Sequence, residues 1–340
     1  MNEALSYDDV LLVPRHSTVE SRDEIDMSVS LDNDMRLALP IISSPMDTIS
    51  EAEMGVVMCR EGGMAVLHRY NSVREQEVMV TEVMRTLGRE AVLAAAIGVS
   101  GGFLERSGVV VDAGAQVVCI DVAHGDHVLV ERALKALKDK YGNTVHLMAG
   151  NVATLEGFEN LVSWGADSIR VGIGGGSICS TRIQTGHGIP TLQSIIDCSA
   201  TTSDVKIIAD GGIKNAGDIV KSLAAGADFV MVGSLLAGTA ETPGEVFTNP
   251  QGKKYKTYRG MASEAAQLSW RGVSSAPEGI STTIPFKGPA SVLLKRIRGN
   301  IASGLSYSGA SNITELQHNA RFICQTAAGQ FESSTHILGR

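Results

Sequence analysis

Eight short apolar runs recur along the 340 residues, and no other feature of the chain restricts its fold as strongly. They are "LPIISSP" from 39, "GMAVLHR" from 63, "VLAAAIG" from 92 and "AQVVCIDV" from 115. "VHLMAGNV" from 145, "ADSIRVGI" from 166, "VKIIADGG" from 205 and "ADFVMVGS" from 227 complete the set. All are rich in Val, Ile, Ala or Leu, without the polar alternation of a half-exposed strand. Each reads as a strand buried on both faces, as parallel sheets require.

Amphipathic helical stretches separate most of the runs. "DHVLVERALKALKDKYG" places Val128, Leu129, Ala133, Leu134 and Leu137 at helical spacing, and Gly142 stops it. "TLEGFENLVSWGA" and "NAGDIVKSLAAGA" open on capping residues and end in Gly-Ala before the next strand. Three strands begin alike, as "GAQVVCID", "GADSIRVG" and "GADFVMVG", so one αβ unit repeats. Eight such units predict a single α/β domain over 1–340, a (β/α)8 TIM barrel. A doubly wound open sheet is the rival arrangement.

In a barrel the chemistry sits after the C-terminal ends of the strands. Ser43, Ser44 and Met46, His68, Asp121, Asn151, Gly172 to Cys179, Asp210 to Gly212, and Gly233 with Ser234 fall there. From about 248 to 288 the pattern changes to a long polar stretch rich in Gly, Pro and Ser, which reads as a flap over the barrel mouth. A helix near 289–303 and a polar tail are expected to finish the chain.

The formal charge of −8, with no basic block, argues against nucleic acid or an anionic membrane as a partner. The N-terminus "MNEALSYDDVLLVP" lacks the order of a signal peptide, and no run approaches the ~20 apolar residues that span a bilayer. Cysteines 59, 119, 179, 198 and 324 are odd in number and scattered, which suggests free thiols, a cytoplasmic location and no structural metal.

Gly174, Gly175 and Gly176 let backbone N–H groups converge on an anion, and Ser177 adds a hydroxyl donor. "DGGI" at 210–213 and "VGSLLAG" at 232–238 add two more small-residue corners after strands seven and eight, where barrels often hold phosphate. Asp210 beside them suits the two hydroxyls of a ribose, and a helix cap is its alternative role. Together the corners describe a pocket for a nucleoside monophosphate. Cys179 is the candidate nucleophile: it follows the glycine loop, and local N–H dipoles with Arg182 would favour its thiolate. A small loop-packing residue is the other reading of Cys179. The remaining four cysteines have apolar or helical settings and read as core thiols.

"GIGGGSICSTR", with "SSPMDT", "AGNVAT", "ADGGI", "MVGSLLAG", "YRGMAS" and "PEGI", resembles the inosine monophosphate dehydrogenase / guanosine monophosphate reductase family. The resemblance runs from "SYDDVLLVP" to "ESSTHI". It implies a barrel, a purine monophosphate (GMP or IMP), a nicotinamide cofactor (NADPH or NAD) and a homotetramer. Carried over, it makes Cys179 the nucleophile that adds to C2 of the purine. Thr181 and Glu278 become the proton-transfer pair. Ser177, Gly212, Gly233, Ser234 and Tyr258 would hold phosphate and Asp210 the ribose, with Ser44, Met46, Gly260 and Met261 beside the nucleotide. Asp121, with Ala123 and Gly172, would meet the cofactor. The carbonyls of Gly174, Gly176 and Cys179 would line a monovalent-cation (K+) site, completed by Glu332 of a neighbouring subunit.

Three departures from the dehydrogenase pattern bear on which reaction is implied. "REQEVMVTEVMRTLGRE" stands where dehydrogenases usually carry paired CBS modules, so no CBS domain is expected. The flap stretch "SEAAQLSWRGVSSAPEG" lacks the Arg-Tyr pair that activates water in dehydrogenases; Arg271 follows Trp270 instead. "DVAHG" after strand four is closer to the reductases. "SSPMDT", "YRGMAS" and "FESSTHI" look dehydrogenase-like, and Gly175 stands where both groups usually have proline, which bears on the cation site. The balance implies NADPH-dependent reduction of GMP, with an IMP dehydrogenase lacking CBS modules as the alternative.

Overall fold

The computed structural model describes residues 3–32, 34–88 and 90–333. Eight parallel strands lie where the apolar runs placed them. They are β1 (Ile41–Ser43), β2 (Met64–Leu67), β3 (Leu93–Ile97) and β4 (Val117–Asp121), then β5 (His146–Val152), β6 (Ser168–Val171), β7 (Lys206–Asp210) and β8 (Phe229–Val232). They pair in chain order, and β8 returns to β1 through Val230–Ile41, Met231–Ile42 and Val232–Ser43. The closed ring excludes the open sheet.

Closure explains why the runs show no polar alternation. Ile41, Ala65, Leu67, Ala95, Val118 and Ile120 belong to one buried cluster with the helices. The residues between them, Ile42, Val66, Ala94, Ala96, Val117 and Cys119, join Met148, Ile208, Phe229 and Met231 in a second. Alternate side chains thus face the helical ring and the barrel interior, and both faces are dry. A small hairpin pairing Val29–Ser30 with Arg36–Leu37 adds Leu31 and Leu37 to the inner cluster. It plugs the N-terminal end of the barrel, where Asp32 lies 3.3 Å from His146 at the start of β5.

The helices follow their caps. Thr154 accepts from the Gly157 N–H at the head of helix Leu155–Ser163, and Asn215 accepts from the Asp218 N–H before helix Ala216–Ala224. Helix Val73–Leu87 leads almost directly into β3, through residues 88–92. The last large helix extends beyond the expected 303, over Ala290–Tyr307, and packs against helices Ala216–Ala224 and Ala52–Arg60. The polar tail is also more ordered than its composition suggested. Asn312 and Thr326, polar residues that read as loop, cap helices Ile313–Asn319 and Ala327–Glu332. Between those helices, Phe322–Cys324 pairs with Val10–Leu12, joining the two ends of the chain.

The stretch after β8 is a built flap. Its strands Phe247–Thr248, Lys254–Arg259 and Ser281–Pro285 form an antiparallel sheet, and helix Glu264–Arg271 lies between the last two. Two contacts fix its base. The buried Lys256 ammonium donates to the carbonyls of Thr239, Ala240 and Thr242 just after β8. Arg259 donates to Asp47, in the loop after β1, with Nε 3.0 Å from Oδ2.

Candidate active site

A cavity of about 280 Å³ opens at the C-terminal end of the strands, beneath the flap. Every residue assigned above to the nucleophile, proton relay, nucleotide, cofactor and cation carbonyls lines it, apart from the neighbouring subunit's contribution. Two rim residues do not. Ser43 bonds Ser50 at 2.7 Å, and the buried His68 bonds Glu51 at 3.0 Å, so both belong to the packed wall.

The nucleophile loop and the flap are joined backbone to backbone. Cys179 bridges Gly279, the Ser180 N–H donates to the Glu278 carbonyl at 2.9 Å, and the Ile280 N–H donates to the Ile178 carbonyl at 3.0 Å. This pairing sets the Glu278 side chain opposite Thr181. The Cys179 thiol donates to Thr181 Oγ1 at 3.1 Å, and Thr181 Oγ1 donates to Glu278 Oε2 at 2.8 Å. A second contact, from the Thr181 N–H to Sγ at 3.5 Å, points a backbone dipole at the sulfur. The chain thiol–hydroxyl–carboxylate is a path for one proton. Arg182, expected to support the thiolate, turns away and donates to the Ile189 carbonyl at 2.9 Å.

The other cysteines differ in surroundings. Burial pushes the thiols of Cys59, Cys119 and Cys198 up to about 12, which keeps them inert. Cys324 does not fit the core-thiol expectation: it is exposed. Among the described residues, the short strand that it ends pairs with Val10–Leu12 alone.

Asp210 sits at the end of β7 in a row of charges crossing the top of the barrel. Its Oδ2 accepts from Asn151 Nδ2 at 2.8 Å and from Arg170 Nε and Nη2 at 3.1 and 2.9 Å. Oδ1 takes no hydrogen bond from the described residues, and Asp210 lines the cavity. Asn215 caps the helix that follows, so the capping alternative for Asp210 falls. Arg170 also donates through Nη1 to Asp121 Oδ1 at 2.7 Å, and Arg69 Nε lies 3.4 Å from Asp121 Oδ2. Burial disfavours the Asp121 charge, but Arg170 and then Arg69 outweigh it and hold the carboxyl below its usual range. Burial likewise opposes the Arg170 charge, and Asp210 and Asp121 keep that guanidinium firmly protonated.

The corner expected to hold phosphate is built from small residues at close approach. A Cβ on Gly233 would stand 3.2 Å from Met46 Sδ and 3.4 Å from both Ser44 Oγ and the Tyr258 hydroxyl. Tyr258 Oη lies 3.5 Å from Ser177 Oγ, and burial keeps its phenol protonated as a donor. Gly172 has φ +146°, and a Cβ there would meet the Asp210 carbonyl at 1.9 Å. Gly212 and Ser234 line the same cavity, as do Gly260 and Met261 from the flap; the Asp47 N–H points at Met261 Sδ at 3.3 Å. The carbonyls of Gly174, Gly176 and Cys179 belong to one turn. That of Gly176 accepts from the Cys179 N–H at 3.1 Å. Glu332 lies exposed on the final described helix; residues 334–337 of the "ESSTHI" motif fall outside the described residues.

Sequence reasoning left Arg170, Arg69 and Tyr70 without a role, although all three line the cavity. The signal for Arg170 was present: a charge inside the apolar run "DSIRVG" on the same strand parity as Ser168. Tyr70 had none. Its ring meets Trp270 of the flap helix at 5.9 Å and 73°, a pairing of residues far apart in the chain.

A family model described as the IMP dehydrogenase / GMP reductase domain matches residues 4–336. The inosine-5'-monophosphate dehydrogenase of Nitrosopumilus maritimus is 31% identical, over 98% of this chain and 98% of that protein. The GMP reductase of Leishmania major is 33% identical, over 99% and 98%. That second alignment extends over 481 positions against 340 in this chain, so the Leishmania protein carries inserted segments that this chain does not. Among solved structures, a cysteine-to-alanine variant of the Trypanosoma brucei GMP reductase, in complex with guanosine 5'-monophosphate, superposes with TM-score 0.92. It is 30% identical and covers 99% of this chain and 98% of its own.

Proposed function

The chain belongs to the IMP dehydrogenase / GMP reductase family of oxidoreductases, and within it we propose that it is a GMP reductase. The proposed reaction converts GMP, NADPH and a proton to IMP, ammonia and NADP+ through a covalent Cys179 intermediate.

One observation carries the reading: the proton relay at the thiol is complete, while the flap offers no base for water. In the resting chain the Cys179 proton faces Thr181, whose own proton faces Glu278. As the sulfur attacks C2 of GMP, that proton moves along the chain to Glu278. The same proton is then available to the departing amino group, which leaves as ammonia rather than as an amide anion. Asp210 Oδ1 and the donors around Gly233 would hold the ribose and phosphate meanwhile. A bound NADPH would supply a hydride to C2; Cys179 would then leave as the thiolate, giving IMP, and regain a proton from solvent through Glu278 and Thr181. Asp121, Ala123 and Gly172 line the wall that suits the cofactor's nicotinamide riboside. The carbonyls of Gly174, Gly176 and Cys179 would take a potassium ion.

A dehydrogenase needs a further step, hydrolysis of the covalent intermediate. Arg271 is exposed at the end of the flap helix, with no tyrosine beside it in sequence. The phenol that the fold brings towards it is Tyr70. Burial, with Asp121 adding, keeps that phenol protonated despite Arg69 and Arg271. Base catalysis is worth about 10²–10⁴-fold, so hydrolysis without it would stall at the adduct. Relatives of equal similarity carry the dehydrogenase name, and oxidation of IMP by NAD is the alternative reading. Ammonia release equimolar with NADPH oxidation in the presence of GMP tests the proposal; NADPH oxidation without ammonia rejects it.

A further inference from the structure

Space, not backbone conformation, makes a glycine of residue 175. Gly172 and Gly174 have positive φ, whereas Gly175 does not, so a side chain there would meet no backbone strain. A Cβ on Gly175 would nonetheless stand 2.5 Å from Thr191 Oγ1, with the Gly211 carbonyl carbon and the Gly212 nitrogen next at 3.4 and 3.5 Å. One side-chain atom therefore excludes every larger residue. The loop lies equally close on the corner after β7. A Cβ on Gly211 would meet the Gly176 nitrogen at 3.2 Å, and one on Gly212 the Gly175 carbonyl oxygen at 3.5 Å.

Thr191 is held firmly in that place. It opens helix Thr191–Cys198, whose Leu192, Ile195 and Cys198 are buried, and the Gln193 N–H donates to the Leu5 carbonyl at 3.1 Å. Ile173, at the start of the nucleophile loop, bridges Ile189 just before the helix. Thr191 is 4% exposed and β-branched, which restricts its χ1, and its Cγ2 lies 3.3 Å from where a Cβ on Gly172 would stand. Its Oγ1 has no hydrogen-bond partner among the described residues, and a buried hydroxyl in that state is destabilising. Hydrogen bonding does not account for this threonine; its shape does.

We infer that Thr191 is a positioning residue for the nucleophile loop. It does not line the cavity and acts through Gly175, which does. Its side chain is the stop on which Gly175 rests, and it sets how the turn from Gly174 to Cys179 lies against the Asp210–Gly212 corner. Lifting Gly175 off that stop displaces Ser177 and Cys179, which share the turn. The inference rests on the nucleotide pocket and nucleophile proposed above, and not on which of the family's two reactions follows.

Isothermal titration with GMP tests it without turnover. Gly175→Ala should weaken GMP binding about tenfold or more, as one overpacked contact implies. In a Thr191→Ala background the same substitution should cost less than about twofold, because the clashing atom is gone. Thr191→Val keeps the shape and drops the hydroxyl, so alone it should bind GMP as wild type does, and it should not relieve Gly175→Ala. The kcat of whichever reaction the wild type performs should follow the same pattern. Should Gly175→Ala fail to fold, a folded Gly175→Ala/Thr191→Ala variant is the same relief, and an unfolded one overturns the inference. Equal cost of Gly175→Ala in both backgrounds overturns it, as does wild-type affinity in Gly175→Ala alone. Loss of GMP affinity in Thr191→Val overturns it too, since the hydroxyl would then be what matters. Sustained oxidation of IMP would reject the reductase assignment and leave these binding comparisons in force.

Discussion

Thr181 Oγ1 donates to Glu278 Oε2 across 2.8 Å, a side-chain contact beside the backbone pairing that joins the Cys179 loop to the flap. The residues are 97 apart in sequence, and in the proposed reaction the hydroxyl between thiol and carboxylate would let one proton serve two steps. Thr181→Val keeps the shape and removes the relay, while Glu278→Gln keeps the hydrogen bond and removes the acid. Each is expected to lower kcat for GMP reduction by about 10²–10⁴-fold with nucleotide affinity retained. Steady-state kinetics with a parallel GMP titration measure this. A fall in affinity without a fall in kcat would make the pair structural.

Cys179→Ala should bind GMP and turn over nothing. Intact-protein mass spectrometry after mixing with nucleotide and cofactor should show an adduct on the wild type alone. Turnover within tenfold of wild type would remove Cys179 from the chemistry. Cys324→Ala, at an exposed position away from the cavity, should leave kcat unaltered.

Asp210→Ala removes a carboxylate that lines the cavity, and GMP binding should weaken by about 1.5–3 kcal/mol, the range for hydrogen bonds to a charged group. Isothermal titration decides it. Because Arg170 would then keep only Asp121 as a carboxylate partner, the thermal midpoint should fall as well. An unaltered dissociation constant alongside a lowered midpoint would confine Asp210 to holding Arg170.

How much of this was legible in the sequence depends on what each residue answers to. The strands were legible because burial on both faces forces unbroken apolar runs, as at Ala94–Ile97. Cys179 and the glycine corners were legible from residue type and position at the strand ends, whereas Glu278 was marked out by the family resemblance. Arg170 was half legible: counting alternate positions from Cys119 and Ile208 puts Asp121 and Asp210 on the interior face, and Arg170, paired in register with Ile208, joins them there. Tyr70 and Trp270 were not legible, since only the fold of the flap onto the barrel makes them neighbours. The caps at Asn312 and Thr326 were missed because polar residues serve loops and helix starts alike.

Acid should expose the charge row. Asp121 has its carboxyl below the ordinary range in the folded chain, so its contribution to stability is fully present above the unfolded carboxylate pKa of ~3.9. It is lost as pH falls through the lower folded value. Asp121→Asn should therefore be less stable than wild type at pH 7, with the gap in thermal midpoint narrowing below about pH 4. A gap that is constant with pH would assign the effect to packing.

A GMP reductase removes ammonia from C2 of GMP and does not hydrolyse the adduct formed from IMP. The most direct measurement follows nicotinamide absorbance in two parallel reactions, GMP with NADPH and IMP with NAD, at equal enzyme. The account predicts continuous NADPH oxidation in the first and at most one equivalent of NADH per active site in the second. Sustained NADH production with accumulation of XMP would contradict it, and Arg271 would then be the first residue to replace.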